Sequence, residues 1–208
     1  MVESLFPTTT TLPALADEPR RVQLSSATTD LLAVQRWFLA RMATTPSPFL
    51  ERMTLFWHTH FATGYTGDVN AGDLMVQNQT IRTNALGDFR QLAYQLTVDP
   101  AMLVWLSGNL NRAGAVNENY GRELLELFTM GTKPQLYTET DIRQAAKALT
   151  GWTLDSNRKP VFTAARHDHS TKTVLGDTIG GYPSGDAREK TEYQLVVDAA
   201  LKQATTSK

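Results

Sequence analysis

The sequence predicts a mainly α fold: a single multi-helix domain with a small irregular or β insert near residues 152–182. Three observations carry this reading. Apolar residues recur at spacings of three and four along most of the chain after Thr29, the period of an amphipathic helix. Capping residues, glycines and prolines punctuate the intervals between these runs. Only residues 152–182 shift to valines, threonines, glycines and a proline, a composition suited to short strands or ordered loop.

Residues 1–28 read as an irregular N-terminal segment, with a threonine run and few apolar anchors, and residues 29–208 as the helical domain. Leu31, Val34, Phe38 and Met42 form the first helical stripe. Ser47-Pro48 reads as an N-cap with proline at the first helical position. Leu50, Met53, Trp57 and Phe61 form the second stripe, ended by Gly64-Tyr65-Thr66-Gly67-Asp68. Helices are expected over 72–84 and 87–97, with a short one opening at Asp99-Pro100. A glutamate-rich helix starts near Asn117 and stops at Gly131, a residue suited to a left-handed C-cap. Thr138-Glu139-Thr140-Asp141 has a capping-box pattern, and Ile142, Ala145, Ala146 and Leu149 supply the next apolar face. A last helix is expected over 188–204.

Charge and composition exclude several classes. The 20 basic residues nearly balance 21 acidic ones, so nucleic acid is not an expected partner. With no cysteine, disulfides, iron–sulfur clusters and thiolate zinc sites are ruled out. No stretch reaches the roughly 18 uninterrupted apolar residues of a membrane span. The first residues lack a basic stretch leading into an apolar one, so no secretory signal is read there and the chain as written is expected in the cytoplasm.

Five motifs occur in order: Leu55-Phe56-Trp57-His58-Thr59-His60-Phe61; Gln79-Thr80-Ile81-Arg82; Asn117-Glu118-Asn119 running into Arg122-Glu123-Leu124-Leu125-Glu126-Leu127-Phe128-Thr129-Met130-Gly131; Ala148-Leu149-Thr150-Gly151-Trp152; and His167-Asp168 with Lys172-Thr173-Val174-Leu175-Gly176. From Leu31 to Gly176 the chain closely resembles a bacterial family catalogued as domain of unknown function 1800. The resemblance implies a central portion of a longer protein, since similar proteins carry helical sequence on both sides and often look exported. It implies no particular reaction.

Site chemistry is therefore read from the residues. All four histidines lie in two short stretches, Trp57-His58-Thr59-His60-Phe61 and Arg166-His167-Asp168-His169, and histidine is both a common metal ligand and an acid–base group near neutral pH. His58 and His60 stand about 200° apart on a helix, so they cannot share one metal. His60 lies beside the Trp57/Phe61 stripe and is expected to face inward, with His58 outward. Each reads either as a group entering a polar pocket or as a boundary histidine satisfied by a carbonyl or carboxylate. If residues 166–170 are extended, His167 and His169 project to one side and, with His58, are the candidate metal ligands; a divalent metal is the one cofactor considered. On the glutamate-rich helix, Arg122 stands four residues from both Glu118 and Glu126. That arc is either an ion-pair ladder worth about 0.2–0.5 kcal/mol per pair, or a buried polar face where Glu118 or Glu123 acts as base or ligand. Trp37, Trp57, Trp105 and Trp152 are expected to pack in the core, Trp152 being the one most suited to stack on a sugar.

Two functions from different classes remain open. One is a non-catalytic helical module, part of a larger bacterial envelope-associated protein, binding protein or glycan. The other is a hydrolytic enzyme, metal-assisted or not, with His60, Glu118, Glu123 and Arg122 as catalytic residues in a polar cleft. The Glu-x-x-His pairs of di-iron bundles, the His-Glu-x-x-His zinc motif, the phosphate-binding glycine loop and the Gly-x-Ser-x-Gly elbow are all missing from the sequence.

Overall fold

Short polar side chains start most of the helices. In the computed structural model, which describes residues 30–133 and 135–206, Asp30 accepts from Ala33 N at 3.1 Å and opens α1 (Leu31–Thr44). Asn70 and Asp73 form a reciprocal capping box on α3 (Ala71–Asn84), and Thr138 and Asp141 form another on α7 (Glu139–Ala148). Asp88 caps α4 (Phe89–Thr97), and Asp99 caps α5 (Pro100–Trp105). Each cap satisfies amides that the first helical turn leaves without partners. The predicted cap of α2 (Pro48–His60) is different: Ser47 makes no side-chain capping bond, and proline at the helix start only removes one amide that would need a partner. The expected irregular segment, residues 1–28, lies outside the described residues.

The glutamate-rich segment is not one uniform helix. It is a short α6 (Asn119–Glu123) continuing into a π-helical turn, Leu124–Thr129, closed by Met130 N donating to Leu125 O at 2.9 Å. Thr129 Oγ1 adds a bond to Leu124 O at 2.6 Å, and Gly131 takes the left-handed conformation expected of it, with φ of 80°. Gly121 lets α6 lie directly on α7: a Cβ there would stand 3.0 Å from the Ile142 carbonyl and the Ala146 nitrogen.

The late insert is two antiparallel hairpins, β1 (Trp152–Leu154) with β2 (Pro160–Phe162), and β3 (Thr171–Val174) with β4 (Asp177–Gly180). Trp152 stands opposite Phe162, and Lys172 opposite Ile179. The closing helix α8 (Glu192–Thr206) packs on α4, α7, β4 and the π turn. Leu92, Leu96, Met102, Leu124, Leu125, Ile142, Val196 and Val197 meet in the main core. A smaller cluster, Val34, Trp37, Ala71 and Met75, joins α1 to α3. No helix among the described residues is long and apolar enough to cross a membrane.

Candidate functional site

The four predicted catalytic residues do not meet in one cleft. His60 enters an aromatic nest of Trp57, Phe61, Phe89 and Phe128, and its Nε2 meets the Phe128 carbonyl at 3.0 Å. That carbonyl lies in the last helical turn, where no later amide reaches it, so the histidine closes the turn. Arg122 grips Glu139 of α7 through both terminal nitrogens at 2.9 and 2.6 Å, and also reaches Glu126 at 3.4 Å and Glu118 at 3.8 Å. Glu118 is taken by Arg143 at 2.9 Å. Glu123 lies half-buried beside this ladder without a hydrogen bond of its own among the described residues; burial and the nearby Glu126 raise its carboxyl pKa. The polar arc thus fastens α6 to α7 near the surface.

His167 and His169 do lie side by side, ring centroids 5.6 Å apart, as an extended 166–170 segment predicts. Both Nδ1 atoms, however, are engaged by protein groups. His167 Nδ1 donates to the Thr150 carbonyl at 2.8 Å, and its Nε2 faces Glu192 Oε1 at 3.3 Å. His169 Nδ1 is bonded to the buried Glu189 carboxylate. Lys172, fully buried, reaches Glu192 Oε2 at 2.7 Å and the Asp168 carbonyl. His58 belongs to a different part of the molecule, between α1 and α3. Among the described residues no group of three histidine, aspartate or glutamate side chains converges to hold a metal ion.

His58 is where the arrangement departs most from expectation. It does not point to solvent, because α1 and α3 cover the second face of α2. A chain of bonds fixes its state. Glu51, 2% exposed, receives both Nε and Nη2 of Arg82 at 2.9 and 2.8 Å, and Nε of Arg41 at 2.9 Å. Burial would raise the Glu51 carboxyl, but the bonds from the two arginines outweigh it and hold it below the usual range. Arg82 Nη1 donates to Asn78 Oδ1 at 2.6 Å, which turns the Asn78 amide nitrogen toward His58 Nε2 at 2.7 Å. His58 Nε2 therefore accepts, and the single proton of the neutral ring resides on Nδ1. Burial, then the nearby Arg82 charge, depresses the His58 pKa to about 4, so the ring is neutral at physiological pH.

His58 lines a cleft of about 380 Å³ with Gln35, Phe38, Thr63, Tyr65 and Asn78, over a floor of Leu31, Val34 and Leu74. The Phe38 ring lies 5.7 Å from the imidazole, and Arg82 stacks beneath Trp37 and Phe38 at 5.3 and 5.8 Å. Among the described residues no formal charge lines this cleft.

The model of the family described as Protein of unknown function (DUF1800) matches residues 4–208. The chain belongs to this family. No curated protein and no solved structure matches it. The DUF1800 match extends beyond the motif-bearing span on both sides. Within it, the Trp57–Phe61 motif supplies the cleft histidine and the His60 brace, Arg82 fixes Asn78, and His167 with Lys172 anchors α8.

The sequence did not disclose the burial of Glu51, Asp73, Asp99, Glu189 and Glu192. Glu51 carried a signal of its own, and Glu192 one through its partner Lys172. Lys172 alternates in register with Val174 on β3, which places it on the inward face, and a buried lysine needs a buried carboxylate. Glu51 stands three residues before Thr54 and seven before His58, on a helix face that also turns inward. Trp152 packs edge-on against Phe162 and Tyr193, whereas Trp105, expected in the core, is 40% exposed.

Proposed function

We propose that this chain is a non-catalytic helical module, part of a larger envelope-associated protein, that binds an uncharged glycan in the His58 cleft. The observation that carries the reading is the cleft's chemistry: neutral donors and acceptors from Gln35, His58, Thr63, Tyr65 and Asn78 beside the aromatic faces of Phe38 and Tyr65. Sugars present apolar ring faces and hydroxyls together, and pockets of a few hundred Å³ with a few placed polar groups suit them. The depressed pKa of His58 keeps the lining uncharged. The separation of His60 from the Glu118–Arg122 ladder favours the binding reading over the hydrolytic one.

A saturation-transfer NMR screen against neutral oligosaccharides tests this, with a reducing-end assay on the same mixtures. The expected result is transfer to at least one saccharide, weakened about five- to tenfold by Phe38→Ala, which removes a stacking ring. Release of reducing ends would replace the reading with the hydrolytic one. Silence toward every saccharide, with a protein or peptide competing at the same residues, would make the partner a protein.

A further inference from the structure

A second cleft, about 730 Å³, lies between α3, the start of α5 and the β1–β2 turn. Its wall includes Asp73, Asp99, Asn157, Arg158 and Lys159. Asp99 is 3% exposed and spends one oxygen well: Oδ1 accepts from Met102 N and from Gln77 Nε2, both at 3.1 Å. Its other oxygen, Oδ2, is buried without a hydrogen-bond partner among the described residues. An orphaned buried carboxyl oxygen is costly, and such exceptions call for a physical account.

The opposite wall is cationic and held under strain. Arg158 adopts φ of 60°, a left-handed conformation costing a non-glycine residue roughly 1–2 kcal/mol. It is held there by Asp73, through Nε at 2.8 Å and Nη2 at 2.5 Å, and by the Asp68 carbonyl at 2.8 Å. Asp73 is thereby neutralised. Lys159, next along the turn, has no carboxylate partner among the described residues and lines the same cleft. With Asp99 protonated, the two cations outnumber Asp73 and the net charge offered to an occupant is positive.

We propose that this cleft binds a small oxyanion, the carboxylate or phosphate group of a ligand, with Lys159 and Arg158 as its cationic contacts and Asp99 Oδ2 as its hydrogen-bonding anchor. Burial pushes the Asp99 carboxyl up to about 7 despite the bonds from Met102 and Gln77, and repulsion from Asp73 adds to the rise. Protonated, Asp99 donates to an anion; ionised, it repels one. The groups facing it are Gln77 and Asp73 of α3, Tyr120 of α6, and Arg158 and Lys159 of the turn. Asp99 changes charge near neutrality, so binding takes up a proton. A hydrogen-bond chain, Thr63 to Gln77 at 2.5 Å and Gln77 to Asp99, joins this cleft to the His58 cleft, yet the two proposals rest on different residues and fail separately.

The test is calorimetric titration of the full chain with sulfate, a non-titrating stand-in for phosphate, and with acetate for carboxylate. Binding of at least one is expected to tighten up to about tenfold from about pH 8 to about pH 6, the change in protonated fraction of a carboxyl titrating near 7. Lys159→Ala, an exposed change that leaves the fold intact, is expected to weaken binding at both pH values. Asp99→Asn keeps the cap and a neutral donor, so binding should persist at about pH 8 without pH dependence. Absence of binding by either anion at tens of millimolar, or binding that Lys159→Ala leaves untouched, overturns the proposal.

Discussion

A single buried carboxyl shows how a side chain's surroundings set the stability of the whole. Asp99 ionises near 7 in the folded chain and near 4 when unfolded. Between those values the unfolded chain gives up the proton first, so the folded state loses ground as pH rises from about 4 to about 7 and is level above that. Asparagine can accept the same amide of Met102 but has no proton to release. Asp99→Asn is therefore expected to gain on the wild type with rising pH, by about 4 kcal/mol between pH 4 and pH 8. Urea unfolding of both proteins at the two pH values checks it; a constant difference would mean that Asp99 is not a buried titrating group. Asp99 was legible as a helix start from Asp99-Pro100, because capping is local. Its burial and its orphaned oxygen depend on Gln77, from a helix 22 residues earlier, and no local pattern announces that pairing.

Elements are legible wherever one face of a helix is apolar and its start is capped by its own neighbours, as in α1 and α7. The exception is instructive. The segment from Asn117 to Gly131 has helical periodicity, but an inserted residue widens Leu124–Thr129 into a π turn. That insertion shifts the phase of everything after it, which a fixed 100° step cannot register. The consequence is an inner face of Leu124, Leu125 and Phe128 and an outer face of Glu123 and Leu127. Leu124 is 1% exposed, so Leu124→Ala is expected to cost about 2–5 kcal/mol. Glu123→Gln, lacking a hydrogen bond to break, is expected to cost under about 0.5 kcal/mol. Chemical denaturation of the two variants separates the faces; a large loss from Glu123→Gln would make the polar arc a buried site rather than an inter-helix fastening.

At the scale of the whole molecule, what the sequence conceals is how distant polar groups find each other. The start of the last helix is anchored through a buried carboxylate: Glu192 on α8 meets Lys172 of β3 at 2.7 Å and faces His167 at 3.3 Å, all three essentially without solvent. Even the backbone is cut to fit, since a Cβ on Gly180, which has φ of 78°, would stand 2.7 Å from Glu192 Oε1. The cluster ties the β3–β4 hairpin and the His167 segment to α8, and α8 in turn closes the core over Leu92, Leu125 and Ile142. Such a pair adds little net stability over a well-packed apolar pair, but breaking one half leaves a charge stranded in a dry interior. Lys172→Met is therefore expected to cost about 3–5 kcal/mol. Lys172→Met with Glu192→Leu is expected to recover most of that loss, because neither charge remains to be desolvated. Equilibrium unfolding of the wild type, both single variants and the double variant closes the cycle. A single-variant loss under about 1 kcal/mol would mean that the charges are hydrated, and α8 would then be held by its apolar face alone.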